Sequence, residues 1–158
     1  MSEVIEFYLD LVEKKLNILI SYKEKLKNLY SIPLKEEYFE DEDLVLEELL
    51  DAIVYKFNKI QSIISEKLFK LILEYIGIEA KNKSFLEVLS LLERENVLEI
   101  AKWRDLRNIR NNITHDYPQE ILELVANLNE LLNSIDYLKY VFENLESLKE
   151  KADETYGK

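Results

Sequence analysis

Residues 44–77, LVLEELLDAIVYKFNKIQSIISEKLFKLILEYIG, decide the fold class. Apolar side chains fall at Leu46, Leu50, Ile53, Phe57, Ile60, Ile64, Leu68, Leu71 and Tyr75, in steps of three and four. That spacing gathers them on one face of an α-helix. At about 1.5 Å per residue the helix is on the order of 50 Å long, and Gly77 ends it as a left-handed cap. Val54, Ile63, Phe69 and Ile72 widen the apolar arc beyond one stripe, so the helix is expected to pack against several neighbours or a second subunit.

Upstream, residues 36–51 hold nine acids and no base. Asp41 or Asp43 is the expected N-cap, because a carboxylate accepts from free amides and complements the positive helix end. The acidic run reads as a solvated helix start or as a docking face for a basic partner. Further upstream, Ile5, Tyr8, Leu9, Val12, Leu16, Leu19, Leu26 and Leu29 form the stripe of a first long helix, closed by Pro33. Downstream, Ser84 and Glu87 have the spacing of a capping box for a short helix ending near Asn96. A fourth helix is expected over residues 97–115. Tyr117 before Pro118 forces a turn near Asp116, which with Gln119 can cap a last long helix. The expected architecture is all-α: an antiparallel bundle of four long helices plus one short helix, in a single domain over residues 1–150, with 151–158 as a frayed tail.

Composition agrees. The chain has 158 residues, 47% hydrophobic and 34% charged, with only two glycines and two prolines. A chain of that length can bury a real core and has few tight turns. It has no cysteine, so disulfides, thiolate metal sites and thiol nucleophiles are excluded. The opening MSEVIEFYLD carries acids in its apolar stretch and no basic n-region, and no window resembles a membrane span, so a cytoplasmic location is expected. With 21 bases against 32 acids the net charge is −11, which repels polyanions at long range.

One stretch breaks this pattern: residues 103–118, WRDLRNIRNNITHDYP. Between Lys102 and His115, four bases face the single acid Asp105, an island of +3 in a chain whose remainder is −14. With about 100° per residue and Trp103 at zero, Leu106, Ile109 and Ile113 fall within about 240–300°. Arg110 falls at about 340°, inside the same apolar face. A guanidinium there requires a carboxylate, a bound phosphate or a wet subunit groove. Arg107, Asn111 and His115 form a second stripe in steps of four, with Asn108 and Asn112 beside it. The three asparagines weaken a helix and supply donors and acceptors instead.

His115, the only histidine, sits where the carbonyl end of the helix favours its charged form. A lone histidine with arginine and asparagine nearby suits metal-free phosphodiester chemistry on RNA. The imidazole would take a proton from a ribose 2′-hydroxyl, and the cation would neutralise the pentacoordinate phosphorus. The competing reading is a structural helix end at His115 and Asp116, with Arg110 in a buried ion pair. Arg110 and His115 are about 140° apart on an ideal helix. They converge only if the arginine reaches across, the helix end unwinds, or a second subunit supplies one of them.

The order Arg110, Asn111, three residues, His115, one residue, Tyr117 resembles the R-N-x3-H-x-Y signature of the HEPN superfamily. It looks most like the HepT branch, encoded beside minimal nucleotidyltransferases. The resemblance implies a homodimeric helical bundle with the motif at the subunit interface. In toxin members the motif arginine and histidine, here Arg110 and His115, cut RNA without metal or cofactor, supported by the polar residue, here Asn111. Arg107 and Asn108 become candidate phosphate contacts. A cognate nucleotidyltransferase antitoxin silences such toxins by AMPylating the motif tyrosine, here Tyr117. A sister branch that looks similar instead acts as a noncatalytic substrate- or nucleotide-binding partner of the nucleotidyltransferase. The strong acidity departs from what an RNA-cutting enzyme would prefer.

Overall fold

The computed structural model describes residues 1–114 and 120–155 and is all-helical, with no strand among the described residues. Helix α1 spans Ser2–Leu29 and buries Ile5, Leu9, Val12, Leu16, Leu19 and Leu26, the expected stripe without Tyr8 and Leu29. Leu29, the last helical residue, is exposed. A short 3-10 turn, Glu36–Phe39, leads to α2, Leu44–Ile63. Asp43 caps it: Oδ1 accepts from the Leu46 amide at 3.1 Å, and Oδ2 accepts from the Tyr30 hydroxyl at 2.8 Å. Those donors, the Leu46 amide first, hold the Asp43 carboxyl below its usual range.

The long second rod differs from the sequence expectation at one place. A π turn at Ile64–Leu68 separates α2 from α3, Phe69–Tyr75, with the Ser65 hydroxyl donating to the Gln61 carbonyl at 2.7 Å. A π turn holds an extra residue and so re-phases the helix. Beyond it the fully buried residues are Phe69, Ile72 and Leu73, whereas Leu71 and Tyr75 of the expected stripe are half-buried. The rod ends as expected. Gly77 takes φ +90°, and the Ile78 amide reaches back to the Leu73 carbonyl at 2.9 Å, the closing bond of a Schellman cap.

Helix α4, Phe85–Arg94, opens on the expected capping box, with Glu87 N donating to Ser84 Oγ at 3.2 Å and Ser84 N to Glu87 Oε1 at 2.9 Å. It closes through Asn96 at φ 61°, with the Val97 amide bonded to the Leu92 carbonyl at 3.0 Å. Helix α5 is Ile100–Thr114 and α6 is Ile121–Thr155. The tail expected to fray from residue 151 is helical through Thr155, because Ala152 is buried and Asp153 is engaged.

Helix α1 packs on α2, α5 on α6, and α3 lies against α1, α4 and α6. Two amides stitch connecting segments onto α6. Asn129 accepts from the Leu34 amide at 2.7 Å and donates to its carbonyl at 3.1 Å, and Asn144 donates to the Val97 carbonyl at 3.0 Å. Lys149, only 4% exposed, joins three helices. Its ammonium bonds Glu6 at 2.6 Å and Asp153 at 2.7 Å and lies over the Tyr75 ring, while the Tyr75 hydroxyl donates to Asp153. Burial disfavours the ammonium, but the two carboxylates outweigh it and its pKa rises.

Lys149→Ala is expected to lower stability by about 1–2 kcal/mol, since it removes a buried cation whose carboxylate partners, Glu6 above all, are partly screened by solvent. Lys149→Met, which keeps the apolar stem, is expected to cost less; urea titration measures both. A second prediction concerns Glu146. Burial, then the carboxylates of Glu13, Glu150, Glu143 and Glu6, raises its pKa from 4.5 to about 7. The folded state therefore holds this proton more tightly than the unfolded one. Stability falls on its account as pH rises from about 4.5 to about 7, and the penalty is complete above that. Glu146→Gln should raise the Tm at pH 8, with the advantage vanishing near pH 4.5 when melting curves are compared.

Candidate functional site

Helix α5 carries the atypical stretch, and its rotation is set by Trp103. The indole is fully buried with its ring centroid 5.1 Å from that of Phe69, just beyond the π turn. Burial then declines along the helix: Trp103 is 0% exposed, Leu106 2%, Ile109 6%, and Ile113 is half-buried. The apolar face read from the sequence is therefore the face that meets the core. Arg110 is half-buried at its edge, shallower than a residue within that face, because α5 leaves the core toward its C-terminal end. Arg110 and Asn112 each take part in an interaction, so neither stands unpartnered.

On the opposite side Arg104, Arg107, Asn108, Asn111 and Asn112 are exposed. The Arg107 guanidinium lies 4.4 Å from the centroid of the Phe85 ring at the start of α4. Stacking of this kind holds the plane of the cation and leaves its edge donors for an anion. Lys102 is neutralised locally by Glu99 at 2.8 Å, a partner one turn away that raises the lysine pKa. The cationic island thus reduces to its three arginines.

Two clefts flank the end of α5. One, about 480 Å³, lies between α5 and α6 and is lined by Asp105, Asn108, Ile109 and Asn112 with Glu130, Asn133 and Ser134. Its amides can donate and accept at once, a surface suited to polar edges. The other, about 640 Å³, is bounded by the 3-10 turn, α2, Ile113 and the first turns of α6. Its walls hold Asp41, Glu42, Asp43, Glu47 and Asp51 over a floor of leucines. Asn58 borders this cleft, and its Oδ1 finds no hydrogen-bond partner among the described residues; the same holds for both amide atoms of Gln61 and for the Trp103 indole nitrogen.

Of the expected site residues, α5 places Arg107, Asn108, Arg110 and Asn111 within two turns of each other. His115 and Tyr117 lie outside the described residues, as do Asp116, Pro118 and Gln119, so the capping role expected of Asp116 lies there too. Among the described residues no group of three or more histidines or acids could hold a metal ion, and no helix is long and apolar enough to cross a membrane. The contributions of Phe85, Glu130, Asn133 and Ser134 escaped sequence reading. They come from other helices, and Glu99, three residues before Lys102, was not read as its partner.

Comparison with protein-family models, with curated proteins and with solved structures gives no match in any of the three. The likeness to HepT proteins therefore rests on the sequence of residues 110–117 alone.

The stacked pair is measurable. A double-mutant cycle of Arg107→Ala and Phe85→Leu should give a coupling of about 0.5–1 kcal/mol in urea unfolding. A coupling near zero would mean that the arginine does not rest on the ring in solution.

Proposed function

We propose that the chain is a HepT-like toxin: a metal-independent endoribonuclease that works as a homodimer of antiparallel helical bundles and is silenced by a nucleotidyltransferase antitoxin that AMPylates Tyr117. The observation that supports this reading is the sequence order Arg110, Asn111, His115, Tyr117, whose first two residues lie on a helix that exposes Arg107, Asn108 and Asn111.

In this reading His115 removes the proton from a ribose 2′-hydroxyl, whose oxygen attacks the adjacent phosphorus. The bond to the 5′-oxygen breaks, the leaving oxygen takes up a proton, and a 2′,3′-cyclic phosphate remains. Arg110 neutralises the charge gained at the phosphoryl oxygens, and Asn111 orients the phosphate or the imidazole. Arg107 and Asn108 hold neighbouring phosphates. DNA lacks the attacking hydroxyl and is left intact. The amide-lined cleft beside Asn108 and Asn112 favours a second reading: a noncatalytic subunit that binds a nucleotide or presents a substrate to a nucleotidyltransferase.

Purified protein is incubated with single-stranded RNA in the presence of a chelator. Cleavage that falls at least about 100-fold in both His115→Ala and Arg110→Ala supports the nuclease, and unchanged RNA at high protein concentration rejects it. Mass spectrometry after co-expression with a cognate nucleotidyltransferase should show added AMP units that disappear in Tyr117→Phe. Their persistence in that variant would remove Tyr117 from the scheme.

A further inference from the structure

The larger cleft lies outside the proposed chemistry and combines two properties rarely joined without a purpose. Along α2, Leu46, Leu50 and Val54 follow one another in steps of four and face Leu124 and Leu128 of α6 across it. Beside them runs a second row in the same steps, Glu47, Asp51 and Tyr55, which puts two carboxylates and an exposed aromatic along one lip. The link between the 3-10 turn and α2 adds Asp41, Glu42 and Asp43 to its lining. Among the described residues no lysine or arginine lines the cleft.

The apolar floor extends outward as well. Ile121 lies three residues before Leu124 and seven before Leu128, on the same face of α6, and is 43% exposed. From Leu46 to Asn58 the groove is on the order of 18 Å long at 1.5 Å per residue, room for about three turns of a helix.

We propose that this groove is a docking site for a basic amphipathic helical segment of a partner protein. The segment's apolar stripe would lie against the half-buried Val54, Ile113 and Leu124, above the buried Leu46 and Leu50, and lysines or arginines spaced by four would meet Glu47 and Asp51. The charge decides the occupant. Nine acids without a base over residues 36–51 repel nucleic acid and anionic lipid and attract a cationic chain, while the leucine floor needs an apolar stripe from that chain to displace water. The inference is independent of the ribonuclease reading: it uses none of the motif residues and would stand if RNA were never cut.

The probe is a fluorescein-labelled 14-residue peptide with leucines at positions spaced three and four apart and lysines beside them, titrated with the full chain and read by anisotropy. Micromolar binding is expected, with a loss of at least about tenfold in Glu47→Lys/Asp51→Lys. The matched control Glu24→Lys/Glu66→Lys changes net charge equally on exposed positions outside the cleft and should stay within about twofold of the parent. A peptide with serine for every leucine should not bind. Equal weakening by both charge reversals, or equal binding of the serine peptide, would reduce the effect to nonspecific attraction and overturn the proposal. So would a change of oligomeric state in Glu47→Lys/Asp51→Lys by sedimentation, which would make the groove a contact between copies of this chain. Thermal melts of each variant confirm folding, and a variant that melts early is replaced by Glu47→Gln/Asp51→Asn, for which a weakening of about threefold or more is required.

Discussion

Trp103 against Phe69 fixes how α5 is rotated, and most of what the outer surface offers follows from it. The indole is the largest fully buried side chain. A ring of that size tolerates little displacement in a close-packed interior. Once it is seated, Leu106 and Ile109 must follow it inward, and Arg107, Asn108 and Asn111 must turn out. Phe69 itself is positioned by the π turn that immediately precedes it. An uninterrupted α-helix would have presented the expected row through Leu71 and Tyr75 instead, and α3 would have met α4 and α6 with the wrong side chains.

That dependence explains which parts of the fold were legible in the sequence. The helices, the Asp43 and Ser84–Glu87 caps and the Gly77 stop are local: each is decided by residues within about one turn, where propensity and capping chemistry act. The π turn was not legible. Its signature is a one-residue slip in which residues are fully buried, and Phe69 and Ile72 could be read only as a widened apolar arc. The helical course of residues 151–155, expected as part of a frayed tail, escaped the sequence for a related reason. Lys149 and Asp153 look like ordinary surface charges until Glu6 and Tyr75, more than seventy residues away in sequence, are brought beside them.

The candidate site divides in the same way. The exposed row of Arg107, Asn108 and Asn111 followed from helical angle alone, and Arg110 was correctly separated from that row though placed too deep. Its cation is half-buried because burial fades toward the end of α5, a gradient that a helical wheel, which has no axial coordinate, does not contain. Phe85 beside Arg107 and the polar side chains of Glu130, Asn133 and Ser134 across the cleft from Asn112 arise from packing between helices. The acidic run on residues 36–51 was visible as charge, but its leucine-floored groove exists only because α6 lies across α2.

The bonds from Lys149 to both Glu6 and Asp153 also have a topological consequence: the opening turns of α1 and the closing turns of α6 lie side by side. A short linker could join them without distorting either helix. The chain could then be reopened in the exposed stretch around Lys81 and Asn82, giving a circular permutant with the same core and relocated termini.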